Sequence, residues 1–189
     1  MRRRAVWVSG WALMVLGLMV LAVGGCSTAQ EADGAVAIGA ERGEELVRSY
    51  DQIPIAPAEP SVVKSEEEWR EILTEEQFHI LREHGTERAH TGALLHNDAE
   101  GVYVCAGCGH ELFSSAAKYD SRTGWPSYYE PIADGAVGTA EDRSLGMYRV
   151  EVHCGQCAGH LGHVFPDGPA PTGLRYCINS LAMEFVEAP

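Results

Sequence analysis

Charge-free, helical and alternating stretches follow one another along this chain. Residues 5–25 carry no charge and follow Arg2, Arg3 and Arg4. Further on, Ser65-Glu-Glu-Glu68 and Thr74-Glu-Glu-Gln77 each fit an S/T-x-x-E/Q capping box, in which side chain and backbone satisfy each other's free groups. Apolar residues follow each box: Trp69, Ile72 and Leu73, then Phe78, Ile80 and Leu81. Gly85, after His84, is a natural stop. Two short helices are therefore predicted. Downstream the period drops to two: residues 101–104, 146–152 and 182–186 alternate apolar with polar positions, as strands with one wet face do. There is no βαβ rhythm. The expected class is α+β, mostly β, with antiparallel sheets behind short N-terminal helices.

The basic start and the uncharged run form the signature of a translocated signal. The run ends in Gly24-Gly25-Cys26, which resembles a bacterial lipobox and makes Cys26 a candidate for lipidation as first mature residue. An uncleaved anchor or ordinary secretion would also fit, and all three readings place the remainder outside the cytoplasm, in the cell envelope for a lipoprotein. Residues 26–64, rich in Ala, Gly, Glu and Pro, read as a flexible tether. The folded domain is expected over 65–189. Length permits only this: 189 residues make one ordinary domain and an appendage. Charge removes a function class. Against 27 acidic residues stand 14 basic ones, three of them in the signal, and such a surface repels the phosphates of nucleic acid.

Chemistry begins with cysteine. Cys105-Ala-Gly-Cys108 and Cys154-Gly-Gln-Cys157 are two C-x-x-C pairs separated by 45 residues. Four thiolates suit a tetrahedral structural zinc ion, while turn amides bond to sulfur. Two disulfides, or a thioredoxin-like redox pair, are the competing readings; the H-x-E and P-C-x-x-C signature of a zinc deaminase is missing. Zinc would tie together distant segments and leave no open coordination position, so it would be scaffolding.

Cys177 remains, inside Arg175-Tyr-Cys-Ile-Asn-Ser180. A lone cysteine is more often a small buried hydrophobe than a nucleophile. In a strand, however, Arg175 and Asn179 share its face, where Arg175 can stabilise a thiolate and Asn179 can donate to a substrate oxygen. His160 and His163 lie in a glycine- and proline-bent stretch, 159–168, read as a loop that carries Phe165 and Asp167 as well. Beside a nucleophile, two imidazoles suit proton donation to a leaving oxygen.

Taken together, Arg175-Tyr-Cys-Ile-Asn-Ser180, His160-Leu-Gly-His-Val-Phe-Pro-Asp-Gly168, Thr123-Gly-Trp-Pro-Ser127 and the two C-x-x-C pairs resemble the type-B peptide methionine-R-sulfoxide reductases. Leu73-Thr-Glu-Glu-Gln-Phe78 and His84-Gly-Thr-Glu-Arg88 are similar to that family's opening, so the likeness runs from about 69 to 185. It implies a tent-like zinc fold, with Zn2+ held by Cys105, Cys108, Cys154 and Cys157. It also implies attack by Cys177 on a methionine sulfoxide, leaving a sulfenic acid. His160 and His163 would protonate the oxygen, Asn179 would orient it, and Trp125 and Phe165 would hold the methyl group. The partners would be oxidised protein or peptide methionine and a reductant, with the enzyme a monomer that binds no nucleic acid and meets the membrane through its lipid. Two positions depart from the family. Thr123 stands where many members carry a resolving cysteine, which implies direct reduction by an external thiol or a thioredoxin-like donor. His90 replaces the usual aromatic and is assigned no role. A zinc-knuckle binding module and a thiol redox sensor are the rival functions; a binding module has no need of Cys177, His160, His163 and Asn179 together.

Overall fold

The computed structural model describes residues 46–189, so the signal and Cys26 lie outside the described residues. Both capping boxes form. Ser65 Oγ accepts from Glu68 N and Glu68 Oε2 from Ser65 N, opening α1 (Glu66–Ile72); Thr74 and Gln77 repeat the exchange for α2 (Glu75–Glu83). The end of α2 differs from expectation. His84, not Gly85, takes the left-handed conformation, at φ 56°. Gly85 is needed for closeness instead, since a Cβ there would collide with the His79 ring. Trp69, Leu73, Phe78, Ile80 and Leu81 are buried.

Among the described residues nine strands follow, in two antiparallel sheets. The smaller is ordered β2-β1-β9, with β1 at Gly101–Cys105, β2 at Glu111–Ser114 and β9 at Met183–Glu187. The larger is ordered β3-β4-β8-β7-β6-β5: β3 is Lys118–Tyr119, β4 Ser127–Tyr128, β5 Val137–Asp142, β6 Arg149–Cys154, β7 His160–Phe165 and β8 Arg175–Ile178. Tyr128 bridges the sheets: its ring stacks on Phe113 at 4.3 Å and meets Tyr103 edge-on at 5.2 Å. The α+β, mostly β reading therefore holds. The strand expected from 146 begins only at Arg149, because Leu145 and Gly146 turn with positive φ.

Two expectations are corrected. Residues 160–165, read as loop, form β7, a strand inside the larger sheet with β6 on one side and β8 on the other. Its first three residues are all buried, so the alternation that betrays a half-exposed strand is missing. Gly162, beside a register shift in the pairing of β7 with β6, makes room, because a Cβ there would collide with the Cys177 carbonyl oxygen. Likewise, residues 46–64, assigned to a flexible tether, lie against the domain. Ala56 N donates to Thr139 Oγ1 and Thr139 N to Ala56 O, at 2.8 and 2.9 Å, along the free edge of β5. Ala58 N donates to His153 Nε2, Ser61 N and Val62 N to Gln156 O, and Ile53 is buried. An edge strand leaves donors and acceptors unpaired, and this segment supplies partners at Thr139. Composition could not reveal that match.

Candidate functional site

Strand register places Cys177. Across β8 it faces Ser127 on β4 and His163 on β7. Three hydroxyls gather beside the thiol: Thr123 Oγ1 lies 3.9 Å from Cys177 Sγ, and Ser121 Oγ reaches Thr123 Oγ1 at 2.8 Å and Ser127 Oγ at 2.7 Å. Burial pushes the Cys177 thiol above its usual range, and Arg175 and the Thr123 and Ser127 hydroxyls pull only part of the way back. Arg175 is less available than its spacing suggested. Its guanidinium makes two 2.9 Å bonds to the Asp167 carboxylate and lies over the Phe165 ring at 4.3 Å. It acts on Cys177 as a fixed neighbouring charge.

Each histidine leans on a carboxylate. His163 Nε2 lies 2.8 Å from Asp142 Oδ2, which also takes Arg149 at 2.6 Å. Burial lowers His163 below the ordinary imidazole value, against the pull of Asp142, and so favours the neutral ring. Burial would raise Asp142, yet bonds from Ser144 and His163 and the charge of Arg149 hold it well below the usual carboxylate range. His160 is 2% exposed and its Nδ1 lies 2.6 Å from Glu151 Oε1. His160 Nε2 is buried and has no hydrogen-bond partner among the described residues. A buried polar atom without a partner is costly, so it marks a place where a ligand atom fits.

One residue the sequence did not single out ties the remainder together. Glu87 is buried, and its carboxylate accepts from Ser180 N at 2.7 Å and Leu181 N at 3.0 Å. Its backbone holds two site residues: Glu87 N donates to Asn179 Oδ1, and Glu87 O accepts from Trp125 Nε1 at 3.2 Å. Asn179 Nδ2 donates to Leu161 O, which leaves one amide hydrogen for a substrate. Trp125 is half-buried, with its ring open beside a cleft of about 730 Å³ that Ser121, Tyr119 and Lys118 help to line. Phe165 stands in edge contact with Tyr50, from the segment before α1. His90 N donates to Gly124 O, so His90 supports the turn that carries Trp125.

The four paired cysteines converge. Cys105 and Cys157 sulfurs are 3.7 Å apart, Cys108 and Cys154 3.6 Å, and all four lie within 4.8 Å of one another. A disulfide needs ~2.05 Å, and all four thiols are free. Tetrahedral thiolates around an ion at ~2.3 Å stand roughly 3.8 Å apart, so the residues fit a metal. Four thiolates this close would repel one another, and a cation among them removes that cost. The ion would join the ends of β1 and β6, strands of different sheets.

Known proteins resemble this chain over the same residues. The SelR domain profile matches residues 73–187. A peptide methionine sulfoxide reductase MsrB of Methanosarcina barkeri is 57% identical over 128 residues, 68% of this chain and 90% of its own length. That of Leptospira interrogans is 59% identical over 124 residues, 66% of this chain and 95% of its own. That of Pseudomonas paraeruginosa is 60% identical over 118 residues, covering 62% and 89%. With these matches spanning the sheets, the thiol and the four-cysteine cradle, the chain belongs to the SelR-domain family, that of the type-B peptide methionine sulfoxide reductases.

Proposed function

We propose that this chain reduces methionine-R-sulfoxide in proteins or peptides through Cys177, by way of a sulfenic acid. The observation that carries this is the surroundings of Cys177: a buried thiol set between the Thr123 and Ser127 hydroxyls and His163, with the open nitrogen of His160 in the same strand pair. The Cys177 thiolate attacks the sulfoxide sulfur, and the oxygen passes to Cys177 as the sulfur–oxygen bond of the substrate breaks. One proton is taken up, Cys177 becomes a sulfenic acid and methionine leaves: cysteine sulfur is oxidised by two electrons and methionine sulfur reduced by two. With both ring nitrogens protonated, His160 donates to Glu151 through Nδ1 and to the substrate oxygen through Nε2. His163, held neutral against Asp142, and the spare hydrogen of Asn179 orient that oxygen. The Trp125 and Phe165 rings take the methyl group, by sulfur–aromatic and methyl contacts.

Two equivalents of external thiol, or one dithiol of thioredoxin type, then return the sulfenic acid to the thiol and release water. The hydroxyls of Ser121, Thr123 and Ser127 occupy the place where a resolving thiol would stand, and they are suited to hold a sulfenate by hydrogen bonds. Zn2+ in the Cys105, Cys108, Cys154 and Cys157 cradle would be structural: four protein ligands leave no position for substrate.

The decisive experiment is turnover of both epimers of a sulfoxide peptide by the wild type and by Cys177→Ser. Loss of R-specific activity with metal retained supports the reading; unchanged turnover defeats it. The basic start, the uncharged run and Cys26 support action outside the cytoplasm on a lipid anchor. Fatty-acid labelling abolished by Cys26→Ser tests that part.

A further inference from the structure

We infer that His84, Glu151 and His160 form a second metal site, selective for a borderline divalent transition-metal ion, whose occupation withdraws His160 from the reaction. Two imidazoles converge on one carboxylate oxygen: His84 Nδ1 lies 3.0 Å and His160 Nδ1 2.6 Å from Glu151 Oε1. The three ligand atoms all lie within 4.8 Å of one another. The His84 and His160 rings are 5.1 Å apart. Around a four-coordinate ion with bonds of ~2.0–2.1 Å, ligand atoms stand roughly 3.3 Å apart, so both shared hydrogen bonds must widen, that of His160 the more, for the three atoms to turn onto one ion.

Two movements are needed, a rotation of the Glu151 carboxylate away from His160 and a turn of the His84 ring. His160 and Glu151 are packed on adjacent strands, while the His84 side chain is 65% exposed and free to turn. Its backbone is fixed by the left-handed cap of α2, which keeps the ring within reach of the carboxylate. Two neutral imidazoles and one carboxylate are the donor set of open zinc sites, and borderline ions prefer them over magnesium or calcium. A fourth position remains for water. The site differs from the cysteine cradle in ligands and place, and it reaches catalysis through His160 alone. That consequence rests on the proton-donor role proposed above; the binding itself does not.

Cobalt(II) is the probe, added to the zinc-loaded full chain carrying Cys177→Ser, so that the nucleophile cannot bind it. One further Co2+ per chain should bind with nitrogen and oxygen ligation and without thiolate-to-cobalt charge transfer. His84→Asn in the same background removes one ligand while keeping a residue that tolerates the left-handed cap. It should weaken the extra site by about 100-fold or more, since even outer-shell changes cost about 10- to 100-fold. No Co2+ beyond the cysteine cradle, or equal binding with His84→Asn, overturns the site. The second arm follows methionine release in a single turnover without reductant. General acid catalysis supplies about 10²–10⁴ in rate, so Co2+ should slow the protein with Cys177 intact by at least about tenfold, and slow its His84→Asn counterpart much less. Equal slowing of both, with the binding difference intact, overturns the catalytic consequence and leaves the site.

Discussion

Glu87 and Asn179 hold each other across 92 residues of sequence: the backbone amide of Glu87 donates to Asn179 Oδ1 at 3.0 Å. The Glu87 carboxylate completes the clasp on the two amides that follow Asn179. Because Glu87 O also holds Trp125, a single residue sets the spacing between the ring proposed for the methyl group and the amide proposed for the oxygen.

Glu87→Ala should therefore damage both stability and recognition. Two backbone amides lose their acceptor, at about 1–3 kcal/mol each, so denaturant unfolding should show a loss of roughly 2–6 kcal/mol. KM for a sulfoxide peptide should rise more than kcat falls. Glu87→Gln keeps one acceptor oxygen and should recover about half of the stability. Unaltered unfolding in Glu87→Ala would refute the clasp.

The reactivity of Cys177 should depend on pH in a stated direction. Burial holds the thiol above its usual range and Arg175 opposes this. Thiolate therefore accumulates only as pH rises past ordinary thiol values, and alkylation by iodoacetamide should accelerate through that range. Arg175→Gln removes the nearby positive charge, so its alkylation profile should move to still higher pH. At neutral pH it should react more slowly than the wild type. The partner left behind, Asp167, is 60% exposed and stays solvated, which keeps the variant folded. A profile moved downward would contradict the role given to Arg175.

Thr123→Cys should create a resolving pair. Thr123 Oγ1 already lies 3.9 Å from Cys177 Sγ, close enough for a small side-chain rotation to bring two sulfurs into bonding range. After one turnover without reductant, the wild type should have lost one thiol and should react with a sulfenate probe. The variant should have lost two and be blind to that probe. A probe-reactive variant would mean that the Thr123 turn cannot close on Cys177.

Removal of the metal should unfold more than its own neighbourhood. The cradle joins the end of β1 to the end of β6, and structural zinc contributes about 10–16 kcal/mol, comparable with or above the ~5–15 kcal/mol stability of a whole domain. Chelation should abolish the sheet signal in circular dichroism and expose four additional reactive thiols. Retention of the sheets with four thiols exposed would show that the cradle is dispensable.

The chain announced its helices because a capping box is local: Ser65 with Glu68 and Thr74 with Gln77 act within one turn. Cys177, the proposed nucleophile, and both cysteine pairs stood out for the same reason, being short patterns. β7 was not, since a register shift between His160 and Gly162 breaks its alternation, and its glycine answers a neighbouring strand rather than a turn. Glu87, Glu151, Asp142 and Ser121 were missed because their meaning depends on distant partners or on backbone groups, which leave no spacing to find. One signal was there for Glu87: it belongs to His84-Gly-Thr-Glu-Arg88, a motif that the family resemblance already covered.

The segment before α1 bears on the company this protein keeps. A reductase that acts on proteins meets chains already damaged and partly unstructured, with hydrogen-bonding groups seeking any open border. At β5 that border is taken at Thr139, whose amide donates to Ala56 O and whose hydroxyl accepts from Ala56 N. A client strand laid along β5 would first have to displace Pro54 and Ala56 from Thr139.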